Sequence, residues 1–392
     1  MSGPVATGLD RIASDERRLV RGKRVALLAH PASVDRHLRP AADVLAEAGA
    51  RIVVLLGPEH GFAGEAQDME GVRHRTTADA PRVFSLYGDS EASLHPTREM
   101  LDGVDMLVVD LQDIGTRYYT FAWTAAFCLE ACAEAGMEAL VLDRPDPLGC
   151  DRVEGPGIQP GYLSFVGLHD VPVRHGLTIG EVLRLYARER RLDLSLEVLA
   201  MAGYRRSMSF GDTGLPWVMT SPNMPTLDTA LVYPGMCLIE GTDVSEGRGT
   251  TRPFEIVGAP WVDGRELARS ALRSGLPGCT LRPLSFRPTF HKHAGRSCGG
   301  VQVHVTDARA FLPLRTGVAL LQALWHTPGN RLSWRREPYE FVSDRPAIDL
   351  LAGGAWLRDG IESDAPLDDL CGWWARDERS FRERSEPALL YR

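Results

Sequence analysis

A glutamate and a histidine stand side by side in a glycine-rich stretch of the sequence, Gly57-Pro58-Glu59-His60-Gly61-Phe62-Ala63-Gly64. This stretch follows an apolar run that ends at Leu56. Because glycine lets the backbone turn sharply and approach a ligand closely, a loop of this composition after a buried strand can display reactive side chains. A carboxyl group that loses contact with water there has a raised pKa, which suits it to donate a proton. Glu59 is therefore the first candidate for a catalytic acid, and His60 is expected either to contact the substrate or to orient Glu59.

Two further apolar runs also end in unusual polar stretches. Residues 105–110 lead into Asp110-Leu111-Gln112-Asp113-Ile114-Gly115-Thr116-Arg117-Tyr118-Tyr119-Thr120, and residues 139–142 lead into Asp143-Arg144-Pro145-Asp146-Pro147-Leu148-Gly149. In an open α/β sheet, ligands bind in the crevice beyond the carboxyl ends of the strands. The three polar loops are therefore expected to lie along one edge of a sheet and to form a binding site.

The secondary-structure elements that position these loops are predicted to follow one another in the order strand, loop, helix, loop, strand. Residues 25–28 and 52–56 are continuous apolar runs, and residues 41–48 between them carry apolar side chains at helical spacing before Gly49. Strands that are apolar on both faces are typical of a parallel sheet covered by helices. Further strands are predicted at 83–88, 105–110, 139–142 and 196–199, and further helices at 121–135 and 178–190.

The length of 392 residues favours two domains, since domains average roughly 100 to 200 residues. An irregular segment that contains two prolines, residues 217–229, precedes the predicted boundary. We therefore predict an α/β catalytic domain over residues 1–232 and a smaller α/β domain over residues 233–392. In the second domain, helices are predicted at 263–273 and 314–325, strands at 281–286 and 300–306, and a helix followed by a tail within 367–391.

The composition is that of an ordinary globular protein, with 44% hydrophobic and 24% charged residues. A formal net charge of -8 argues against a nucleic-acid or anionic-membrane surface. The seven cysteines form no CxxC pair and are expected to be reduced thiols. No secretory signal and no apolar run long enough to span a membrane is visible, so a cytoplasmic location is expected.

Other common chemistries lack their sequence signatures. The sequence contains neither of the two nucleotide-binding glycine motifs, GxGxxG and GxxxxGK[ST], and no serine in a GxSxG turn. The HExxH metal motif is also absent, and His291-Lys292-His293 holds the one close histidine pair. We therefore expect no metal and no other cofactor.

Carboxylate chemistry fits these residues better. Glycosidases generally place two acidic groups across the scissile bond, one to protonate the leaving oxygen and one to activate water or attack the sugar. With Glu59 as the acid, the sequence does not choose the second group. The candidates are Glu65, Asp110, Asp113, Glu154, Glu240 and Glu246.

Several long blocks, in the same order, resemble the bacterial exo-β-N-acetylmuramidase family, long catalogued as a domain of unknown function. Besides the three polar loops, they are Val153-Glu154-Gly155-Pro156, residues 164–167 and 174–181, Ser221-Pro222-Asn223-Met224-Pro225, residues 240–242 and residues 245–250. The likeness covers nearly the whole chain from about Lys23. Two departures are Ala63, where an arginine is common, and Asp146, where asparagine is common.

The resemblance implies a Rossmann-like N-terminal domain, a smaller α/β C-terminal domain and an active-site cleft between them. The implied activity is removal of N-acetylmuramic acid from the non-reducing ends of peptidoglycan fragments. Glu59 matches the glutamate held to be catalytic in the family, and His60, Asp110, Gln112, Arg117 and Tyr118 match its cleft.

The lactyl carboxylate of muramic acid calls for a basic partner such as Arg117, Arg144 or Arg248, because a guanidinium binds a carboxylate with two prongs. Tyr118, Tyr119 and Trp123 offer an apolar surface for the sugar, although Trp123 lies on a helix where core packing is the commoner role. His175 is either a ligand contact or an ordinary loop histidine.

The residues predicted to be catalytic are Glu59, His60 and Asp113, and those predicted to bind substrate are Asp110, Gln112, Arg117, Tyr118, Arg144, Glu154, His175, Asn223, Glu240, Glu246 and Arg248. The expected partner is a small molecule, either a muropeptide or a disaccharide that contains N-acetylmuramic acid. A protein that only binds such sugars, or a metal-dependent hydrolase, remains the alternative. The sequence indicates neither the stereochemical outcome nor the oligomeric state.

Overall fold

A computed structural model describes residues 4–64, 81–328 and 331–392 of the chain. Six strands form the larger sheet: β1 (Arg24–Ala29), β2 (Arg51–Gly57), β3 (Arg82–Ser85), β4 (Met106–Asp110), β5 (Glu138–Leu142) and β6 (Leu196–Leu199). All neighbours in this sheet are parallel, and the spatial order is β3-β2-β1-β4-β5-β6. This is the strand order of doubly wound α/β folds, so the predicted Rossmann-like parallel sheet is confirmed.

The helices that the described residues form are distributed along the whole chain. They are α1 (Gly8–Ser14), α2 (Ala41–Glu47), α3 (Phe121–Ala135), α4 (Ile179–Arg190), α5 (Leu227–Met236), α6 (Gly264–Leu272), α7 (Pro313–Trp325), α8 (Ala347–Ala352), α9 (Trp356–Glu362), α10 (Leu367–Gly372) and α11 (Ala375–Ser385). Short 3-10 turns occur at Arg17–Leu19, Glu91–Leu94, Phe210–Thr213, Cys237–Gly241 and Glu386–Ala388.

Helices cover both faces of the large sheet because its strands are apolar on both sides. In β1, Val25 and Leu27 pack into a core that α1 and α2 share, whereas Ala26 and Leu28 pack into the core that contains α3 and α4. The alternation follows from the two-residue period of a strand. All five residues of β4 are buried, as a central parallel strand requires.

Helix ends follow the local signals in the sequence. Thr178 accepts a hydrogen bond from the Glu181 amide, and Glu181 bonds back to the Thr178 amide, which completes the predicted capping box at the start of α4. Gly136 ends α3 in the left-handed conformation, with φ of 64°.

The second half of the chain carries an antiparallel sheet of three strands: β7 (Ile256–Ala259), β8 (Cys279–Phe286) and β9 (Cys298–Val305). Their order is β7-β9-β8. In β9, Val301 and Val303 are buried while Gln302 and His304 are half-buried, so the predicted half-buried strand is confirmed. The smaller sheet with its helices agrees with the predicted α/β C-terminal part.

One predicted helix differs from the structure, and the predicted domain boundary stays open. The segment 367–391, predicted as one helix followed by a tail, contains two helices, because α10 and α11 are separated by Trp373 and Trp374. The predicted domain boundary at 232/233 falls inside α5, which carries the chain from one half into the other, so it stays a prediction. Within the described ranges, no helix is long and apolar enough to cross a membrane.

Candidate active site

A small cavity of about 30 Å³ lies beyond the carboxyl end of β2, between the two halves of the chain. Its lining from the first half is Glu59, His60, Tyr118, Tyr119, Thr120, Phe121, Val166, Ser221, Asn223 and Met224. Its lining from the second half is Tyr233, Glu240, Arg248, Phe254, Tyr339 and Glu340. The position agrees with the rule that open α/β sheets bind ligands at the carboxyl ends of their strands.

The glycine-rich loop after β2 turns back on itself immediately. A side chain at Gly57 would place its Cβ 2.2 Å from the backbone nitrogen of Phe62, so only glycine allows this close return. His60 and Gly61 both have positive φ, at 72° and 77°. For His60, which has a side chain, this conformation is strained, and such strain is found at functional sites when the surroundings enforce it. The turn brings Glu59 and His60 to the cavity wall.

The Glu59 carboxylate is 7% exposed and is held through one of its oxygens. Oε2 accepts a hydrogen bond of 2.8 Å from the Thr120 hydroxyl, at the start of α3. Oε1 is buried and has no hydrogen-bond partner among the described residues. One oxygen is therefore fixed to the protein and the other is left for a ligand, which is the arrangement that proton transfer to a substrate needs.

Aromatic rings form the apolar side of the cavity. Tyr119 packs against Phe121 and Tyr233, with ring centroids 4.7 and 5.8 Å apart, and Tyr233 packs against Phe254 at 4.8 Å. Tyr118 is anchored by its hydroxyl, which donates to the carbonyl oxygen of Pro234. Rings held this rigidly can contact the apolar face of a sugar at little cost in conformational entropy.

A buried ion pair forms the polar side of the cavity. Arg248 donates from Nε and Nη2 to Oε1 of Glu240, at 3.0 and 2.5 Å. The Tyr339 hydroxyl donates to the other oxygen, Oε2, at 2.8 Å. The Arg248 guanidinium also lies 5.0 Å above the Phe254 ring. These contacts fix both the carboxylate of Glu240 and the plane of Arg248.

Six of the predicted site residues line this cavity: Glu59, His60, Tyr118, Asn223, Glu240 and Arg248. The other eight do not line it. Glu65, a candidate for the second carboxylate, lies outside the described residues.

Asp110 and Arg144 neutralise each other away from the cavity. Nε and Nη2 of Arg144 donate to the two carboxylate oxygens of Asp110 at 2.6 and 2.7 Å, and Asp110 has no exposed surface. Burial raises the pKa of the Asp110 carboxyl, although Arg144 opposes this. Nearby, the Gln112 side-chain amide donates to the carbonyl oxygens of Asp113 and Pro145 at 2.9 and 2.8 Å. All three residues hold the polar loops in place.

Arg117 has a structural position in place of the expected substrate contact. It has no exposed surface, and its guanidinium donates to the carbonyl oxygens of Pro156, Val171 and Leu351 at 2.8, 2.9 and 3.0 Å. Leu351 belongs to α8 in the second half of the chain. Arg117 therefore ties the two halves together beneath the cavity.

Asp113 and His175 face each other in the interior and not in the cavity. Nε2 of His175 lies 3.7 Å from Oδ2 of Asp113, which also accepts a hydrogen bond from the Gly115 amide at 2.9 Å. Burial raises the pKa of Asp113 to about 7 and lowers that of His175 to about 3. This pair therefore supports the loop from behind, and the geometry gives Asp113 no access to a ligand.

Glu154 and Glu246 are also buried outside the cavity. Glu154 accepts a hydrogen bond from the Arg315 amide at 3.1 Å, and burial raises its pKa to about 7. Glu246 accepts from Nζ of Lys292 at 2.8 Å and lies 3.2 Å from Nδ1 of His291. Burial raises the pKa of Glu246, but the neighbouring cations outweigh it and hold the pKa well below its ordinary value.

Besides Tyr233 and Phe254, the lining residues of the second half that sequence reasoning missed are Tyr339 and Glu340. They lie in an irregular segment between α7 and α8, without any strand-end pattern or glycine-rich motif to single them out. Tyr119 was foreseen as a sugar surface, whereas Trp123 is a core residue that donates its indole N–H to the Arg117 carbonyl. No group of three or more His, Cys, Asp or Glu side chains suited to a metal occurs in the part of the chain that the structure describes.

Comparisons with known proteins agree along the full chain. The N-terminal model of the exo-β-N-acetylmuramidase NamZ family matches residues 25–228, and the C-terminal model matches residues 231–391. The chain is 41% identical over 390 residues to the peptidoglycan β-N-acetylmuramidase NamZ of Bacillus subtilis (strain 168), an alignment that covers 99% of this chain and 91% of the relative.

Two solved structures of DUF1343 family proteins from Bacteroides fragilis NCTC 9343 share the fold. One has a TM-score of 0.87 at 32% identity and covers 100% of both chains. The other has a TM-score of 0.76 at 28% identity and covers 100% of this chain and 99% of the other.

Proposed function

Because the chain belongs to the exo-β-N-acetylmuramidase NamZ family, we propose that it releases N-acetylmuramic acid from the non-reducing ends of peptidoglycan fragments. The chain is a glycosidase of this family. The observation that carries the proposed mechanism is Glu59, which lines the cavity with one oxygen held by Thr120 and the other without a hydrogen-bond partner among the described residues.

In this mechanism protonated Glu59 gives its proton to the glycosidic oxygen as the bond between that oxygen and the anomeric carbon breaks. A water molecule supplies the oxygen that bonds to the anomeric carbon. One of its protons stays on the new hydroxyl group, and the other returns to the Glu59 carboxylate after the leaving group has departed. Burial favours the step, because the charges that develop during proton transfer interact with the protein in a medium of low dielectric constant.

The rest of the cavity suits a terminal muramic acid. Of the three arginines considered for the lactyl carboxylate, Arg248 alone lines the cavity, whereas Arg117 and Arg144 are used elsewhere. Arg248 is therefore proposed to bind the lactyl group, with Glu240 fixing the plane of its guanidinium. Tyr118 and Tyr119 are proposed to contact the sugar ring. A pocket enclosed by both halves of the protein admits the end of a glycan, whereas a sugar inside a glycan needs an open groove.

The test is hydrolysis of a chromogenic N-acetylmuraminide and of the matching N-acetylglucosaminide, which lacks the lactyl group. We expect the full chain to cleave the first and not the second. The Glu59→Gln variant should lose about 10²- to 10⁴-fold in kcat, the usual contribution of a general acid. The exposed control Glu91→Gln should match the parent, and circular dichroism should show that all variants are folded.

Release of N-acetylmuramic acid from the non-reducing end of a muropeptide should then be followed by mass spectrometry. Cleavage inside the glycan would contradict exo action. Binding of the muraminide without any product would point to a sugar-binding protein, and undiminished turnover by Glu59→Gln would remove Glu59 from the mechanism.

A further inference from the structure

Glu340 brings a second carboxylate to the same cavity from the opposite half of the chain. Glu59 follows β2 in the first half, whereas Glu340 lies in the segment between α7 and α8. Both line the cavity, and Glu340 is 3% exposed. Hydrolysis of a glycosidic bond generally requires two carboxyl groups that flank the bond, and these two residues bring a carboxyl group from each half of the chain.

The backbone that carries Glu340 is strained. Tyr339 and Val342 exchange two hydrogen bonds, at 2.9 and 3.0 Å, around a two-residue turn. Both residues inside the turn have positive φ, 47° for Glu340 and 68° for Phe341. Such turns strongly prefer asparagine and glycine, because the left-handed conformation is unfavourable for a residue with a larger side chain. A Glu-Phe pair here indicates that the side chains are needed where the turn puts them.

Contacts on both sides hold the turn in this conformation. The Tyr87 hydroxyl donates to Oε2 of Glu340 at 3.1 Å, and the ring of Tyr87 packs against Phe341 with centroids 5.6 Å apart. Tyr339 is fastened through its hydroxyl to Glu240.

Among the described carboxylates of the cavity, Glu240 is the competing candidate, and its geometry argues against it. Both of its oxygens are engaged, one by Arg248 and the other by the Tyr339 hydroxyl. Asp110, Asp113, Glu154 and Glu246 do not line the cavity.

We propose that Glu340 is the second catalytic carboxylate, ionised and facing the anomeric carbon opposite the proton donor Glu59. This inference rests on the proposed function. As Glu59 protonates the leaving oxygen, positive charge develops on the anomeric carbon and the ring oxygen, and the negative charge of Glu340 stabilises it.

The principal experiment compares kcat and KM of the Glu340→Gln variant with those of the parent on the chromogenic N-acetylmuraminide. Glutamine keeps the size of the side chain and an oxygen for the Tyr87 hydroxyl, but it removes the charge. We expect kcat to fall about 10²- to 10³-fold, the cost of removing one group that stabilises transition-state charge, with little change in KM. The control is Glu337→Gln, an exposed glutamate of the same segment that should leave kcat unchanged.

Two further measurements keep the inference testable if Glu340→Gln folds poorly. Glu340→Ala leaves space for a small carboxylate, so added formate should restore part of its activity, which a structural role would not predict. Tyr87→Phe keeps the ring and removes the hydroxyl that holds Oε2 of Glu340, so kcat should fall with little change in KM.

The outcomes separate this inference from the proposed function. If the parent hydrolyses the muraminide and Glu59→Gln does not, but Glu340→Gln retains full kcat, then Glu340 is not catalytic and the proposed function stands. If the parent hydrolyses no muraminide, the proposed function fails and the inference about Glu340 falls with it. A folded Glu340→Gln variant with raised KM and normal kcat would overturn the catalytic role.

Discussion

The Thr120 hydroxyl donates a 2.8 Å hydrogen bond to Oε2 of Glu59 and so joins the start of α3 to the loop after β2. The bond leaves Oε1 of Glu59 without a protein partner in the described part of the chain. The two residues come from different strand-end loops, 61 positions apart in sequence. Their contact defines which carboxylate oxygen is available to a substrate.

Removing the Thr120 hydroxyl should slow catalysis without weakening substrate binding. In Thr120→Val the side chain keeps its shape but no longer holds Glu59, so we expect kcat to fall about tenfold or more, with KM nearly unchanged. A hydrogen bond to a charged group is worth ~1.5–3 kcal/mol, and 1.4 kcal/mol corresponds to a factor of ten. The measurement is steady-state hydrolysis of the chromogenic muraminide. Thr124→Val, the same change one helical turn further on, is the matched control, and equal kcat values for the two variants would contradict the role of Thr120.

Replacing Arg117 should lower stability and leave KM unchanged in the protein that remains folded. In Arg117→Met three buried backbone carbonyls lose their donors, and each unsatisfied group costs about 1–3 kcal/mol. Urea unfolding followed by circular dichroism measures this loss. Arg152→Met, which removes two hydrogen bonds to carbonyls from a less buried position, should cost less. If Arg117→Met had the urea midpoint of the parent and a raised KM, the result would support the substrate contact first expected for Arg117.

Replacing Asp146 with asparagine should remove part of the pH dependence of stability. Burial raises the pKa of Asp146 from 3.8 to about 8. Between these pH values the folded state holds a proton that the unfolded state has lost, so the free energy of unfolding decreases as pH rises. The slope is at most about 1.4 kcal/mol per pH unit for one carboxyl. Asparagine has no such proton and still offers an oxygen to the Leu148 amide, which bonds to Asp146 at 2.8 Å.

Urea midpoints of the parent and Asp146→Asn at several values between pH 5 and pH 9 would test this expectation. We expect the variant to gain stability over the parent as pH increases. Asp151→Asn changes an exposed aspartate five positions later in the chain and should leave the slope as it is in the parent. Parallel curves for the parent and Asp146→Asn would show that Asp146 does not titrate with a raised pKa.

The amino-acid sequence alone determined the larger fold and the location of the site. Continuous apolar runs such as residues 25–28 and 52–56 predict parallel strands, because a strand buried on both faces has no room for polar side chains. A glycine-rich loop after such a strand predicts where Glu59 is displayed. These signals are local, since hydrophobic periodicity and glycine content act over a few neighbouring residues.

Only the tertiary structure decided which charged residues face the cavity and which are paired in the protein interior. Arg117, Arg144 and Arg248 are equal candidates in the sequence. In the structure Arg117 donates to backbone carbonyl oxygens and Arg144 pairs with Asp110, whereas Arg248 alone of the three lines the cavity. Glu340 carries no motif, and it reaches the cavity through a turn stabilised by Tyr87, 253 positions away in sequence. Partners this distant meet only when both halves of the chain have packed, because the hydrogen bonds and burial that select them do not exist in any local segment.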